Sequence, residues 1–343
     1  AARGACMTHR AGWLAVGLAV LGLWPGAAAA QAPAAAPSAA APRDSRWAIV
    51  VSGASGGPEY AAQLATWRQA IQTALTSRFG FTAGQIVQLV DETARTAGTP
   101  ATAENVRKAF ATLRGQVGKD DLVLVVLLGH GTFDGQAAKF NLVGPDLTAA
   151  DWGAMLGALP GRQVIVNTTE ASAPFLDALA ARGRVVITAT ETAAQRYATV
   201  FPEYFVKALG DVQSDLDKNG RTSIWELFAS SSTAVARHYS ERAQLTTERA
   251  MLSDTGDKAG VQATVTTGPI GTMARSFYLD RDVASESTDP AVRVLIERRR
   301  ALESEAEAHI QKKTGTDPAA WAAEFERLMI ELARVSRDIR QRS

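Results

Sequence analysis

The sequence has 343 residues, 36 Lys and Arg against 35 Asp and Glu, 46% hydrophobic residues and one cysteine. That is enough chain for a well-buried core, and a formal net charge of +1 excludes the basic footprint of a nucleic-acid binder. One cysteine and four histidines exclude a disulfide framework, an iron-sulfur cluster and a multi-cysteine zinc site.

Translation is expected to start at Met7, which leaves residues 1–6 as an upstream extension. Thr8, His9 and Arg10 form a short positive region, Ala11 to Trp24 is apolar, and Ala28-Ala29-Ala30 offers a small-residue cleavage site. This is the pattern of a secretory signal peptide over residues 1–30. A spanning helix wants about 20 apolar residues, whereas this run is shorter and ends in Pro25-Gly26. A secreted or periplasmic protein with no transmembrane span after cleavage is therefore expected. Cys6 lies before the apolar run, so the mature chain lacks cysteine, which suits an oxidising compartment. Residues 31–46 are dominated by Ala and Pro and read as a linker.

Trp47 to Val51 is a continuous apolar run closed by the glycine-rich turn Ser52 to Pro58, the pattern of a buried strand. Tyr60 to Ser77 and Thr102 to Arg114 are helical in period, and Gln85 to Val90, Asp121 to Leu128, Val164 to Val166 and Val185 to Ile187 are strand-like. Fully apolar strands alternating with helices predict an α/β domain over residues 47–210, a mostly parallel sheet covered by helices on both faces. In such sheets, sites collect at the carboxyl ends of the strands. That directs attention to the loops Ser52 to Gly57, Gly129 to Gly135 and Asn167 to Ala173. Gly53, Gly56 and Gly57 lack the spacing of a dinucleotide-binding turn.

Residues 211–289 are assigned to a cation-loop insertion and the remainder of the α/β domain, and 290–343 to a helical hairpin. In that hairpin Val292, Leu295, Ile296 and Leu302 share one face, and Trp321, Phe325, Leu328, Leu332, Val335 and Ile339 another. The heptads are too few for a coiled coil, so the pair is expected to pack on the body of the protein.

Gly129-His130-Gly131 puts an imidazole directly after the strongest strand, between glycines that allow a substrate backbone to approach. Trp47 to Gly56, Gly129-His130-Gly131 and the later strand end at Glu170-Ala171-Ser172 together resemble the landmarks of the legumain and caspase superfamily of cysteine peptidases, over roughly Trp47 to Leu209. The resemblance implies a caspase-like sheet, with His130 and Gly131 as catalytic elements and the nucleophilic cysteine at the end of the next strand. The family pattern there is Cys, one variable residue, Ser and usually Gly, whereas this chain reads Glu170-Ala171-Ser172-Ala173. Glu170 thus stands at the cysteine position, and His130 and Ser172 carry over. A carboxylate does not replace a thiolate as a peptidase nucleophile. Three readings follow: a pseudopeptidase whose cleft binds a peptide or protein segment, a scaffold, or a changed hydrolase in which His130 activates Ser172 or Thr169. Glu170 is a candidate ion-pair partner for His130. By position in the resembled family, Ser52, Gly53, Thr190 and Glu191 are candidate substrate-binding residues.

Asp215-Leu216-Asp217-Lys218-Asn219-Gly220-Arg221-Thr222-Ser223-Ile224-Trp225-Glu226 fits the twelve-position calcium loop. Asp215, Asp217 and Asn219 fill positions 1, 3 and 5, Gly220 position 6, the Arg221 carbonyl position 7, Ser223 position 9 and Glu226 position 12. Helical segments flank it, and one Ca2+ that braces the fold is expected. Leu252 to Gly260, with Asp254 and Asp257, reads as an ordinary turn. His238 and His309, in charged helical contexts, are expected to be solvated.

Overall fold

The computed structural model describes residues 46–91, 98–195, 197–265, 270–280, 289–311 and 317–342. The signal-peptide assignment and the linker as far as residue 45 lie outside them. In chain order the elements are β1 (Arg46–Ser52), α1 (Pro58–Thr73), β2 (Ile86–Val90), β3 (Thr99–Pro100), α2 (Ala103–Arg114), β4 (Leu122–Leu128), β5 (Gly131–Phe133), β6 (Ala138–Phe140) and β7 (Leu147–Thr148). There follow α3 (Ala149–Gly157), β8 (Arg162–Asn167), α4 (Ala173–Leu179), β9 (Arg184–Thr188), α5 (Phe201–Gly210), α6 (Ile224–Glu241), β10 (Met251–Ser253), α7 (Thr272–Ser276), α8 (Pro290–Gln311) and α9 (Pro318–Arg342). No helix among the described residues is long and apolar enough to cross a membrane.

The main sheet has seven strands in the order β10-β9-β8-β4-β1-β2-β3, all parallel except β10. Side chains alternate across a strand, so one sheet feeds two cores. Ala48, Val50, Leu124, Val126, Val164 and Val166 face α1, α5 and α6, where Leu64, Ile71, Phe201, Phe205 and Phe228 meet them. Ile49, Val51, Val123, Val125 and Ile165 face α2, α3 and α4, against Val106, Phe110, Trp152, Phe175 and Leu179. The expected α/β architecture with helices on both faces is what the chain adopts.

The β5-β6-β7 sheet is a departure, because part of the expected Gly129 to Gly135 loop is strand. The reason is a tight turn in which the Asp134 carboxylate accepts from the Gln136 and Ala137 amides at 3.0 and 2.8 Å, folding the chain back on itself. The carboxyl-terminal helices form the expected pair. Their stripes meet each other, with Val292, Ile296, Leu302, Leu328, Val335 and Ile339 forming an apolar cluster separate from the two sheet-facing ones. Arg46, assigned to the linker, is instead the first residue of β1 and is buried.

Trp152 is fully buried and stands edge-on to both Phe110 and Phe140, with centroids 5.8 Å away in each case. Truncating such a ring leaves a cavity that the surrounding helices cannot close. Trp152→Ala is expected to lower the unfolding free energy by about 3–5 kcal/mol, read as a shift of the urea midpoint at unchanged slope.

Candidate functional site

Register sets the site. Ser52 pairs with Leu128, Leu127 with Asn167, and Asn167 with Thr188, so β1, β4, β8 and β9 all end at one edge. The loops leaving that edge carry Gly53, His130, Glu170 and Thr190. Gly53 is needed for close approach: a Cβ there would lie 2.2 Å from the Asn141 carbonyl oxygen. That carbonyl accepts the Ala54 amide at 3.0 Å, and the Asn141 amide in turn donates to the His130 carbonyl at 3.0 Å. The β1 loop, the His130 loop and the end of β6 are thereby held as one unit.

His130 and Glu170 meet. His130 Nδ1 lies 3.1 Å from Glu170 Oε1, with the histidine side chain 31% exposed and the glutamate 15% exposed. The hydrogen bond to Glu170 and the charge of its carboxylate, together with a bond to the Ser55 carbonyl, outweigh partial burial and raise the His130 pKa above 6.5. Tyr60 covers the ring, with centroids 4.6 Å apart and planes inclined by 33°. Burial, and secondarily the Glu170 charge, push the Tyr60 phenol well above its ordinary pKa, so it stays neutral. The pairing orients the imidazole and stabilises its protonated form.

Ser172 is fully buried, and its Oγ is bonded elsewhere. It accepts from the Thr190 amide at 3.2 Å and lies 3.0 Å from Thr190 Oγ1. Thr190 Oγ1 also accepts the Ala173 amide at 3.1 Å. Thr190 is therefore a buried tie between the ends of β8 and β9, and Ser52 is likewise buried. Neither presents its side chain at the surface, unlike the substrate-binding role expected of them. Glu191 is exposed, and it pairs with Arg249 at 2.7 Å and accepts from Gln262 at 2.8 Å. Thr169 is fully buried, and its Oγ1 has no hydrogen-bond partner.

The calcium-like loop lies between α5 and α6. Carboxylate oxygens of Asp215, Asp217 and Glu226 all lie within 4.8 Å of one another. Asp215 accepts the Asn219 and Gly220 amides at 3.1 and 2.9 Å, and Gly220 adopts a φ of +84° that a side chain would strain. Asn219 Oδ1 accepts the Arg221 amide at 2.8 Å, and the Arg221 guanidinium lies 3.6 Å from the Tyr278 ring centroid. Ser223 caps α6: its Oγ accepts the Glu226 amide at 3.2 Å and donates to Glu226 Oε2 at 2.8 Å. Glu226 Oε1 accepts the Leu216 and Asp217 amides at 2.8 and 3.2 Å. The three carboxylates are thus brought together, while the Asn219 and Ser223 oxygens are engaged within the loop. Asp217 is an exposed residue overall, but its carboxyl end packs into the loop. Burial there, followed by the charges of Glu226 and Asp215, raises its pKa from 3.8 to about 7.

Several partners carried no sequence signal. Tyr60 and the Ser55 carbonyl around His130 arrive from α1 and the β1 loop only through tertiary packing. Glu248, buried, accepts the Val200 and Phe201 amides at 2.7 and 3.3 Å and the Tyr239 hydroxyl at 3.0 Å, which caps α5. Asp254, buried in the expected turn, caps α7 by accepting the Gly271 and Ala274 amides at 2.8 and 2.9 Å. His238 and His309, expected to be solvated, are each partly exposed and also hydrogen-bonded. His238 Nδ1 lies 2.8 Å from the Tyr204 hydroxyl, and His309 Nε2 lies 2.8 Å from the Trp321 carbonyl.

No protein family and no curated protein matches the sequence. Solved structures that resemble the fold include a Geobacter sulfurreducens protein from a structural-genomics programme, at 14% identity over 55% of this chain and 89% of that chain, with a TM-score of 0.37. The Drosophila initiator caspase Dronc matches at 10% identity over 64% of this chain and 82% of that chain, TM-score 0.40. A secreted C11 cysteine protease from Bacteroides thetaiotaomicron, solved with an irreversible peptide inhibitor, matches at 13% identity over 61% and 66%, TM-score 0.36. These are likenesses of fold.

Two pH dependences follow. His130 gains a proton-stabilising partner on folding, so its contribution to stability is complete below about pH 6.5 and fades as pH rises through the raised folded value. Glu170→Gln is expected to flatten that slope and to move the His130 titration, followed by NMR, downward. In chelator, Asp217 protonates more readily folded than unfolded, so stability should fall between about pH 4 and pH 7. Asp217→Asn is expected to remove that fall, read from melting temperatures across the range.

Proposed function

We propose that the chain is a secreted, periplasmic pseudopeptidase of the legumain and caspase type, braced by one Ca2+, which binds a peptide or protein segment or serves as a scaffold. The observation that carries this reading is the His130-Glu170 pair. Where the resembled family has a thiolate beside its histidine, this chain has a carboxylate that pairs with the imidazole at 3.1 Å. The burial of Ser172 and its bonds to Thr190 weigh against the alternative of a serine hydrolase, because its hydroxyl reaches neither the surface nor a free base.

Calcium enters the proposal through the loop chemistry. Three clustered carboxylates with a raised Asp217 pKa describe a charge arrangement that a hard divalent cation would relieve. Asp215, Asp217 and Glu226 would hold the ion. Arg78 links this loop to the core: its guanidinium donates to the Leu209 carbonyl at 2.8 Å at the end of α5 and to Thr222 Oγ1 at 2.5 Å. An ion in the loop would therefore stiffen the α5-α6 layer beneath the sheet.

Incubation of the processed protein with a diverse peptide library is expected to give no cleavage, with calcium or with chelator. Cleavage that disappears in both His130→Ala and Ser172→Ala would replace this reading with the hydrolase. For the metal, calcium is expected to raise the melting temperature of the unsubstituted protein, and Glu226→Gln to abolish that rise. An equal loss of stability by Glu226→Gln in calcium and in chelator would count against the site.

A further inference from the structure

An asparagine side chain can close on the backbone nitrogen of the residue that follows it, and a side chain on that residue obstructs the approach. The sequence has four asparagines, Asn105, Asn141, Asn167 and Asn219. The first three precede Val106, Leu142 and Thr168, and Asn167 is also fully buried. Asn219 precedes Gly220, which is exposed, and a Cβ built at Gly220 would meet nothing within 4 Å. The nitrogen of Gly220 is thus free of steric cover, and the dipeptide is open to water.

The loop places a partner at each atom that such a closure uses. The Gly220 amide donates to Asp215 Oδ2 at 2.9 Å, so a carboxylate already holds the proton that the attacking nitrogen must give up. The Arg221 amide donates to Asn219 Oδ1 at 2.8 Å, which polarises the side-chain carbonyl and supports the charge that builds on its oxygen during attack. That bond, from two residues on, also folds the Asn219 side chain back along the Gly220 peptide. Asn219 Nδ2, the leaving nitrogen, donates to Asp217 Oδ2 at 2.9 Å, which fixes the plane of the amide. Asp134-Gly135 has the same open neighbour and a different electrophile. The Ala137 and Gln136 amides lower the Asp134 pKa to about 2, and an ionised carboxylate resists attack by a nitrogen.

We propose that Asn219 is a self-modification site, at which the folded loop converts the asparagine to aspartate and isoaspartate, with Asp215 receiving the Gly220 proton. A bond forms between the Gly220 nitrogen and Asn219 Cγ, and the bond from Cγ to Nδ2 breaks. Ammonia leaves with one proton gained, and a succinimide remains. Water then opens the ring, at Cγ to give aspartate or at the Asn219 main-chain carbonyl carbon to give isoaspartate. The balance is one water consumed and one ammonia released, with no change of oxidation state. The isoaspartate product lengthens the main chain by one methylene where Asp215 and Asp217 both accept the Asn219 amide, at 3.1 and 3.0 Å, so it loosens the loop. The proposal goes beyond the calcium reading and stands whether or not the loop takes up the ion.

The test keeps the purified full chain in mildly alkaline buffer with chelator and samples it over weeks. Each asparagine is followed by mass spectrometry of digests, with chromatography to separate aspartate from isoaspartate. Asn219 is expected to be lost to both products, while Asn105, Asn141 and Asn167 persist. Asp215→Asn, which keeps the size of the side chain and removes its charge, is expected to slow the loss by at least about tenfold. Asn219→Gln, whose longer side chain closes a ring poorly, is expected to end it at that position. A second comparison does not depend on whether Asp215→Asn folds: the unsubstituted chain unfolded in guanidinium keeps the dipeptide and lacks the loop, so the native chain is expected to lose Asn219 faster. Persistence of Asn219 alongside the other three would overturn the site. Loss at an equal or higher rate in the unfolded chain, or an unchanged rate in folded Asp215→Asn, would overturn the assignment of the reaction to the loop.

Discussion

Every residue of β4 is buried, and the strand is paired on both sides, with β1 and with β8. A parallel strand enclosed on two faces and two edges has no room for a polar side chain, which is why Leu122 to Leu128 is all Leu and Val. The first position at which this strand can carry chemistry is the one after it ends. Because β1, β8 and β9 run in the same direction and in register with it, their exits fall beside its own. The meeting of His130 with Glu170 is thus a consequence of backbone hydrogen bonding three strands wide, with the helices serving to seal the faces.

The two acidic centres of the molecule handle negative charge in opposite ways. Glu170 faces a single imidazole, and the pair is nearly neutral and half shielded by Tyr60. Asp215, Asp217 and Glu226 face one another and are quieted only by backbone amides, a serine hydroxyl and the Asn219 side-chain amide. The first arrangement raises the pKa of a base, and the second raises the pKa of an acid. The causes differ: the bond to Glu170 and its charge raise His130 against the effect of burial, whereas burial itself raises Asp217. The buried carboxylates of Glu248 and Asp254 show a third solution, in which helix amides at the start of α5 and α7 absorb the charge.

Much of this was legible in the residues. The strands of the main sheet could be read because Val, Leu and Ile runs without period mark strands covered on both sides, and the calcium-like loop because its spacing is dictated by a single turn of chain. The pairing of Glu170 with His130 was legible as a candidate once both were placed at strand ends. Tyr60 over His130, and Thr190 over Ser172, were not, since each contact joins elements whose relative placement no local pattern encodes. The short β5-β6-β7 sheet was missed because three-residue strands are too short to show a period, and its turn depends on the side chain of Asp134. The partners of the histidines at 238 and 309 were hidden for a related reason: a polar helical context does not reveal a tyrosine or a carbonyl arriving from a neighbouring helix.

The separate cluster of the carboxyl-terminal hairpin has a consequence for how the molecule opens. Among the described residues its Leu, Val and Ile contacts run between α8 and α9, in a cluster apart from the two that seal the sheet. Fluctuations that fray the hairpin and exchange its amides with solvent can then proceed as a sub-global event, while the amides of β1, β4 and β8 wait for the whole domain to open.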